Sequence, residues 1–195
     1  LIDKNIFEEY YLQEDRVNFK GESNEGKLKL SSPQENAFNS IKESLSNKEV
    51  CLLHGVTASG KTEIYIKLIE EYLAHGKQVL YLLPEIALTT QLVGRLRAHF
   101  GNKVAVFHSK YSNNERVEVW HQVLNSSDKA QVVIGARSAL FLPFNNLGLI
   151  IVDEEHEQTF KQQDPTPRYH ARDAAIVLAN FHNTTRANPE ATGEL

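Results

Sequence analysis

An α/β fold with a mostly parallel sheet and helices on both faces is what this sequence predicts, and three observations predict it. Short unbroken apolar runs alternate with longer stretches of helical period from residue 50 onward. A glycine-bearing turn ending in Lys61-Thr62 stands between the first such run and the helix after it. A very apolar run ends abruptly in Asp153-Glu154-Glu155, and open α/β sheets collect ligands beyond the carboxyl ends of their strands. The chain length of 195 residues suits one such domain with a short appendage at one end.

Residues 1–30 mix acids, bases, Tyr10, Tyr11 and Phe19 without a sustained period, and 21–26 reads as a flexible turn. This stretch is expected to be a linker leaving a preceding domain. Ser31, Ser32 and Pro33 then cap and open an amphipathic helix whose apolar positions are Ala37, Phe38, Ile41 and Leu45, so the domain proper is expected to span 31–183. Strands are predicted over Val50–Leu53, Val79–Leu83, Val104–Phe107, Val132–Ile134 and Leu149–Val152. Helices are predicted over Lys61–Leu73, Leu88–Phe100, Asn113–Leu124 and Ala171–Phe181. Residues 184–195 carry little apolar character and read as a frayed tail or a cut boundary.

Composition narrows the class. Hydrophobic residues at 41% and charged residues at 24% give no support for a fibrous or disordered chain. No apolar run approaches the roughly 20 residues of a membrane helix. Leu1–Tyr10 lacks the basic start and apolar centre of a secretory signal, so a cytoplasmic location with no membrane partner is expected. Cys51 is the only cysteine, which leaves no internal disulfide or thiolate zinc cluster and predicts a buried structural thiol. A net charge of −4 argues against broad phosphate binding, so any DNA contact must be local. Lys103, Lys110, Arg116, Lys129 and Arg137 gather in mid-chain as weak support for such a contact.

Gly55-Val56-Thr57-Ala58-Ser59-Gly60-Lys61-Thr62 fits G-x-x-x-x-G-K-[ST] between a predicted strand and a predicted helix. In that setting the backbone N–H groups of residues 55–60 and the positive helix end surround nucleotide phosphates. Lys61 reaches the terminal phosphates and the Thr62 hydroxyl joins Mg²⁺. Asp153 would hold the same Mg²⁺, usually through water, and Glu154 would orient and deprotonate a water attacking the terminal phosphate. Either motif alone has a plain reading, a chance glycine turn or a solvated acidic run; their pairing carries the specificity. His156, at a helix start, is a candidate for coupling and equally a residue that is simply exposed or packed.

The order of Asp153-Glu154-Glu155-His156 after the phosphate loop resembles superfamily 2 helicases, whose second motif reads D-E-x-H. Five stretches are more closely similar to the PriA family of replication-restart helicases, the primosomal proteins N-prime. They are Gly55 to Tyr65, Leu82-Leu83-Pro84-Glu85-Ile86-Ala87-Leu88-Thr89, Gly135-Ala136-Arg137-Ser138-Ala139-Leu140-Phe141, Asp153 to His156, and Arg168-Tyr169-His170-Ala171-Arg172-Asp173. The resemblance covers about residues 30–181. It implies a RecA-like P-loop NTPase lobe, the ATP- and Mg²⁺-binding lobe of a 3′–5′ DNA helicase acting in replication restart and primosome assembly.

The same resemblance implies Gln34 for adenine recognition, with Pro84, Glu85, Arg137 and Ser138 near the DNA strand. It implies that 160–172 is an aromatic-rich loop sensing single-stranded DNA. There Phe160, Tyr169 and His170 offer rings for stacking, while Lys161, Arg168 and Arg172 meet phosphates. Implied partners are single-stranded and forked DNA, other primosome proteins and single-stranded-DNA-binding protein. Zinc is implied only for a C-terminal part outside this chain. Ala58 stands where the family often has glycine, and no S-A-T motif occurs before Leu195, so the lobe is expected to be cut short. The isolated piece is accordingly expected to be nearly inactive. Two other readings stay open: another superfamily 2 DNA translocase, RecG-like or of the transcription-repair-coupling type, and a nucleotide- or DNA-binding module that never hydrolyses ATP. Glu63-Ile64-Tyr65 and the Arg168–Asp173 stretch favour PriA over the first, and Glu154 argues against the second for the parent protein.

Overall fold

A computed structural model describes residues 28–48, 50–55, 60–109 and 111–183. The predicted linker, apart from its last three residues, and the predicted tail lie outside them. Helix α1 (Ser32–Asn47) opens as its sequence suggests: Pro33 sits in the first turn, and the Ser31 backbone N–H and hydroxyl donate to Gln34 Oε1 at 2.8 and 2.9 Å. Helix α2 (Lys61–Ala74) leads into strand β1 (Gln78–Leu82). A 3₁₀ turn at Glu85–Ala87 then precedes α3 (Thr90–Phe100), which starts two residues later than its apolar period suggests. The reason is local: the Thr89 hydroxyl accepts the Leu92 N–H at 3.3 Å and sets the cap.

Strand β2 (Val104–Phe107), helix α4 (Asn113–Leu124), strand β3 (Val132–Gly135), strand β4 (Leu147–Val152) and helix α5 (Ala171–Asn183) complete the order. All strand pairings are parallel, in the order β2-β3-β1-β4. Side chains alternate across the sheet. Val79, Tyr81 and Leu83 join Ile134 and Ile151 in a core with Ile64 and Ile69 of α2 and Leu96 and Phe100 of α3. Leu80 and Leu82 join Phe107 and Val133 in a second core with Val119 and Val123 of α4 and Ala171 and Ala175 of α5. Each face of the sheet is thus covered by helices, the α/β arrangement expected from the continuous apolar runs.

Three expectations are corrected. Val50–Leu53 forms no strand: Val50 and Leu52 are 50% and 75% exposed, while Cys51 and Leu53 turn partly inward onto the α2 side of the core. A strand needs a neighbouring backbone for its N–H and C=O groups. Among the described residues, β4 is paired only on its β1 side and no ladder reaches this run. Cys51 is therefore a half-buried free thiol, not a fully buried one. The mid-chain basic residues also form no single patch. Lys103 and Lys129 precede β2 and β3 whereas Arg137 follows β3, which in a parallel sheet puts them at opposite edges. Arg116 lies over the Phe107 ring, 5.8 Å from its centroid, and Lys110 falls outside the described residues.

Gly135 ends β3 where the chain passes close to its neighbours. A Cβ there would lie 2.5 Å from the Ala139 Cβ and 3.0 Å from the Phe107 carbonyl oxygen. Gly135→Ala is expected to destabilise the fold by about 1–3 kcal/mol through overpacking. Urea unfolding followed by circular dichroism checks this, and an unmoved midpoint contradicts the packing described.

Candidate functional site

After β1 the chain crosses to α3 on one face of the sheet, and after β4 it runs to α5 on the other. A crevice therefore opens between the carboxyl tips of β1 and β4, the switch point at which open α/β sheets bind ligands. Helix α2 runs back against the strands, so its N-terminus, Lys61 and Thr62, starts at this same edge.

At that N-terminus Gly60 has φ +81°, and a Cβ on it would lie 2.3 Å from Gln34 Nε2. Glycine is required there on both counts. Gln34 Nε2 donates to the Gly60 carbonyl at 3.2 Å, and Lys61 Nζ donates to the Gly55 carbonyl at 2.9 Å. Gln34 and Lys61 thus hold the two ends of the loop; Val56, Thr57, Ala58 and Ser59 between them lie outside the described residues. Glu63 pairs with Arg95 of α3, tying the first turn of α2 to the helix that follows β1.

The opposite wall is the turn after β4. The Asp153 N–H donates to the Leu82 carbonyl at 3.0 Å, which brings its side chain beside β1. The Tyr81 hydroxyl donates to Asp153 Oδ2 at 2.9 Å, and the Glu154 N–H donates to Oδ1 at 3.1 Å. Tyr65 of α2 meets the Tyr81 ring edge-on, centroids 5.7 Å apart. Burial first, and then the charge of Asp153, push both phenols far above the usual tyrosine range, so both remain protonated donors. Glu154 adds to the effect on Tyr65, which ties the acids electrostatically to the start of α2. Glu154 itself has φ +52°, and its Oε2 lies 3.7 Å from Nε2 of the exposed His156.

A second group gathers beside this crevice. Pro84, Glu85, Arg137 and Phe160 line a cleft of about 120 Å³ with Leu83, Ala136 and Thr159. Arg137 Nη1 donates to the Thr159 carbonyl at 3.0 Å, and Ser138 is half-buried nearby in the 3₁₀ turn Arg137–Phe141. Residues 161–170 form a hairpin: Lys161 bridges His170, the Gln162 N–H donates to the Tyr169 carbonyl at 2.9 Å, and the Gln162 side chain bonds the carbonyls of Pro165 and Pro167. Lys161 and Arg168 are exposed on it.

Three residues expected to meet DNA are otherwise engaged. Phe160 is only 1% exposed, because the 3₁₀ turn Gln158–Phe160 points its ring into the core with Leu82 and Ala171; it offers no free stacking face. The His170 Nδ1 accepts the Arg172 N–H at 3.3 Å and so helps to cap α5. Arg172 pairs with Glu155 at 2.9 Å and with Asp173 at 3.0 Å, joining the acidic turn to the start of α5. Two side chains had no assigned role in the sequence. Phe141 is 68% exposed and lies edge-on to Tyr169 at 5.4 Å, and Tyr81 holds Asp153. Phe141 closes a motif already singled out; its exposure comes from the turn and is invisible to hydropathy. Tyr81, a polar-tipped residue in a mostly aliphatic strand beside the acids, was a readable signal.

This α/β lobe is of the helicase class: residues 31–184 match the DEAD/DEAH box helicase family, and the chain belongs to it. Within that class it is similar to the replication restart protein PriA of several bacteria. The Bacillus subtilis protein is 49% identical over 158 residues, covering 80% of this chain and 19% of the relative. The Synechocystis protein is 56% identical over 124 residues, 64% of this chain and 15% of the relative. The Haemophilus influenzae protein is 48% identical over 171 residues, 88% of this chain and 23% of the relative. The chain thus spans about a fifth of the length of the curated relatives it matches. Among the described residues no helix is long and apolar enough to cross a membrane.

A left-handed backbone at Glu154 costs a side-chain-bearing residue about 1–2 kcal/mol, partly offset by the unfolded-state freedom a glycine gains. Glu154→Gly is therefore expected to raise the stability of the fold by up to about 1 kcal/mol. Chemical denaturation reads this directly, and a lower midpoint would contradict strain at this turn.

Proposed function

We propose that this chain is the nucleotide-binding lobe of an ATP-dependent DNA helicase that moves 3′ to 5′ and acts in replication restart and primosome assembly in the cytoplasm. The observation that carries the reading is the contact chain Tyr65–Tyr81–Asp153, which sets the acid after β4 against the helix that follows the phosphate loop. Residues 55–60 and Lys61 hold the triphosphate at the positive end of α2, and Gln34, anchored at Gly60, reads the adenine. The Thr62 hydroxyl and the Asp153 carboxylate are hard oxygen donors of the kind Mg²⁺ prefers. Each Asp153 oxygen accepts one hydrogen bond and keeps a second lone pair for a bound water or the ion. Mg²⁺ held by them supplies neutralising charge at the phosphates. Glu154 orients the attacking water and takes its proton, and His156 beside it couples the site to the rest of the motor.

DNA lies along the second group. Pro84, Glu85, Arg137 and Ser138 flank the strand. Lys161, Arg168 and, once released from Glu155, Arg172 meet its phosphates. Tyr169 with Phe141 offers the stacking surface, and His170 fixes the hairpin against α5. Exposed aromatic and basic groups side by side support this reading despite the net acidic charge. Forked and single-stranded DNA, primosome proteins and single-stranded-DNA-binding protein are the partners of the intact protein, and zinc belongs to its C-terminal part. The deciding assay is ATPase and unwinding by that protein on fork, duplex and single-stranded DNA at fixed salt. Equal, DNA-independent turnover on all three would refute the helicase reading.

Lys61→Ala is expected to abolish binding of a fluorescent ATP analogue. Glu154→Gln is expected to keep that binding while cutting turnover about 100-fold or more, and surviving turnover removes Glu154 as the base. Replacing Phe141 and Tyr169 by Ala is expected to raise the single-stranded DNA concentration needed for half-stimulation of ATPase about tenfold, the effect of losing one stacked base. A half-stimulation point that stays where it was argues against stacking at this pair.

A further inference from the structure

We infer that Tyr81 is a positioning residue for the metal-holding carboxylate, fixing Asp153 in the orientation that Mg²⁺·nucleotide binding requires. The inference rests on the reading of Asp153 as the residue that holds Mg²⁺ and deepens it. Asp153 lies in a turn just past β4, where a carboxylate anchored only through its own backbone is free to rotate about its side-chain bonds. In the structure both of its oxygens are engaged, Oδ2 by the Tyr81 hydroxyl at 2.9 Å and Oδ1 by the Glu154 N–H at 3.1 Å. The carboxylate plane is therefore set by two bonds from different directions, and one of them comes from outside the turn.

Tyr81 is well suited to be that outside anchor. It sits in β1, paired on both sides, and is fully buried. Its backbone is in register with Ile151, two residues before Asp153, and a phenol is long enough to bridge that offset where a Val or Leu is not. Tyr65 packs edge-on against the ring and restricts it. The hydroxyl leaves each Asp153 oxygen a lone pair, so the bond orients the acceptor without blocking it. Partners of this kind, one shell out from a metal, commonly govern its affinity.

The test uses the full-length protein and a non-hydrolysable fluorescent ATP analogue, titrated with Mg²⁺ and separately in its absence. Tyr81→Phe keeps the ring and its contact with Tyr65 and removes only the hydroxyl. It is expected to raise the Mg²⁺ concentration for half-saturation about tenfold while metal-free nucleotide affinity stays unchanged. Mn²⁺ binding followed by electron paramagnetic resonance gives a second readout independent of the nucleotide signal. If Asp153→Asn shifts the metal requirement but Tyr81→Phe does not, the positioning role is wrong and the metal reading stands. If Tyr81→Phe weakens binding equally with and without Mg²⁺, its role is structural and the inference fails. If Asp153→Asn changes nothing, the metal reading fails and this inference with it.

Discussion

Strand β1 pairs with β3 on one side and β4 on the other, and all five of its residues are buried. That placement constrains everything else at the site. The tip of β1 borders the crevice it shares with β4, and Asp153 is drawn to it by a backbone bond to Leu82 and a side-chain bond from Tyr81. A strand buried on both faces ordinarily carries only aliphatic side chains. Here two polar side chains are tolerated because each has hydrogen-bond partners, Tyr81 the Asp153 carboxylate and Gln78 the Val123 carbonyl and the Asn145 and Asn146 N–H groups, which offset the penalty for burying them.

The fold class and most of the elements were legible because parallel strands buried on both faces leave unbroken apolar runs, a pattern hydropathy detects well. The G-x-x-x-x-G-K-[ST] pattern and the acids at the end of an apolar run stand out in the sequence because residue type and spacing are both distinctive. What sequence could not supply was partnership. Val50–Leu53 has the composition of a strand, yet strand formation depends on a neighbouring backbone that no local pattern encodes. Phe160 lies in a polar loop by sequence, and only the 3₁₀ turn at Gln158–Phe160 reveals that its ring belongs to the core. Lys129 and Arg137 are close in sequence but separated by the length of a strand, since residues before and after β3 lie at opposite edges.

The acidic turn and the hairpin are joined by contacts of very different strength. The Tyr81–Asp153 bond is part-buried and charge-assisted, a class worth more than a neutral exposed bond. The Arg172–Glu155 pair is half-exposed, and such surface pairs contribute little. The turn after β4 is therefore held firmly to β1, while its link to α5 can be exchanged at little cost. In a family of DEAD/DEAH box helicases, whose work depends on changing contacts with nucleic acid while holding a nucleotide, that division of stiffness is physically apt.

The contact between Gln34 and Gly60 bears on where this lobe can be trimmed. Gln34 occupies the space a side chain at position 60 would need, and it is itself steadied by the Ser31 backbone and hydroxyl. Helix α1 is thus a stopper behind the Gly60 end of the loop as well as a layer packed on α2. A shorter piece made for crystallisation or screening must begin upstream of Ser31, or it gives up the prop that keeps the end of the loop in shape.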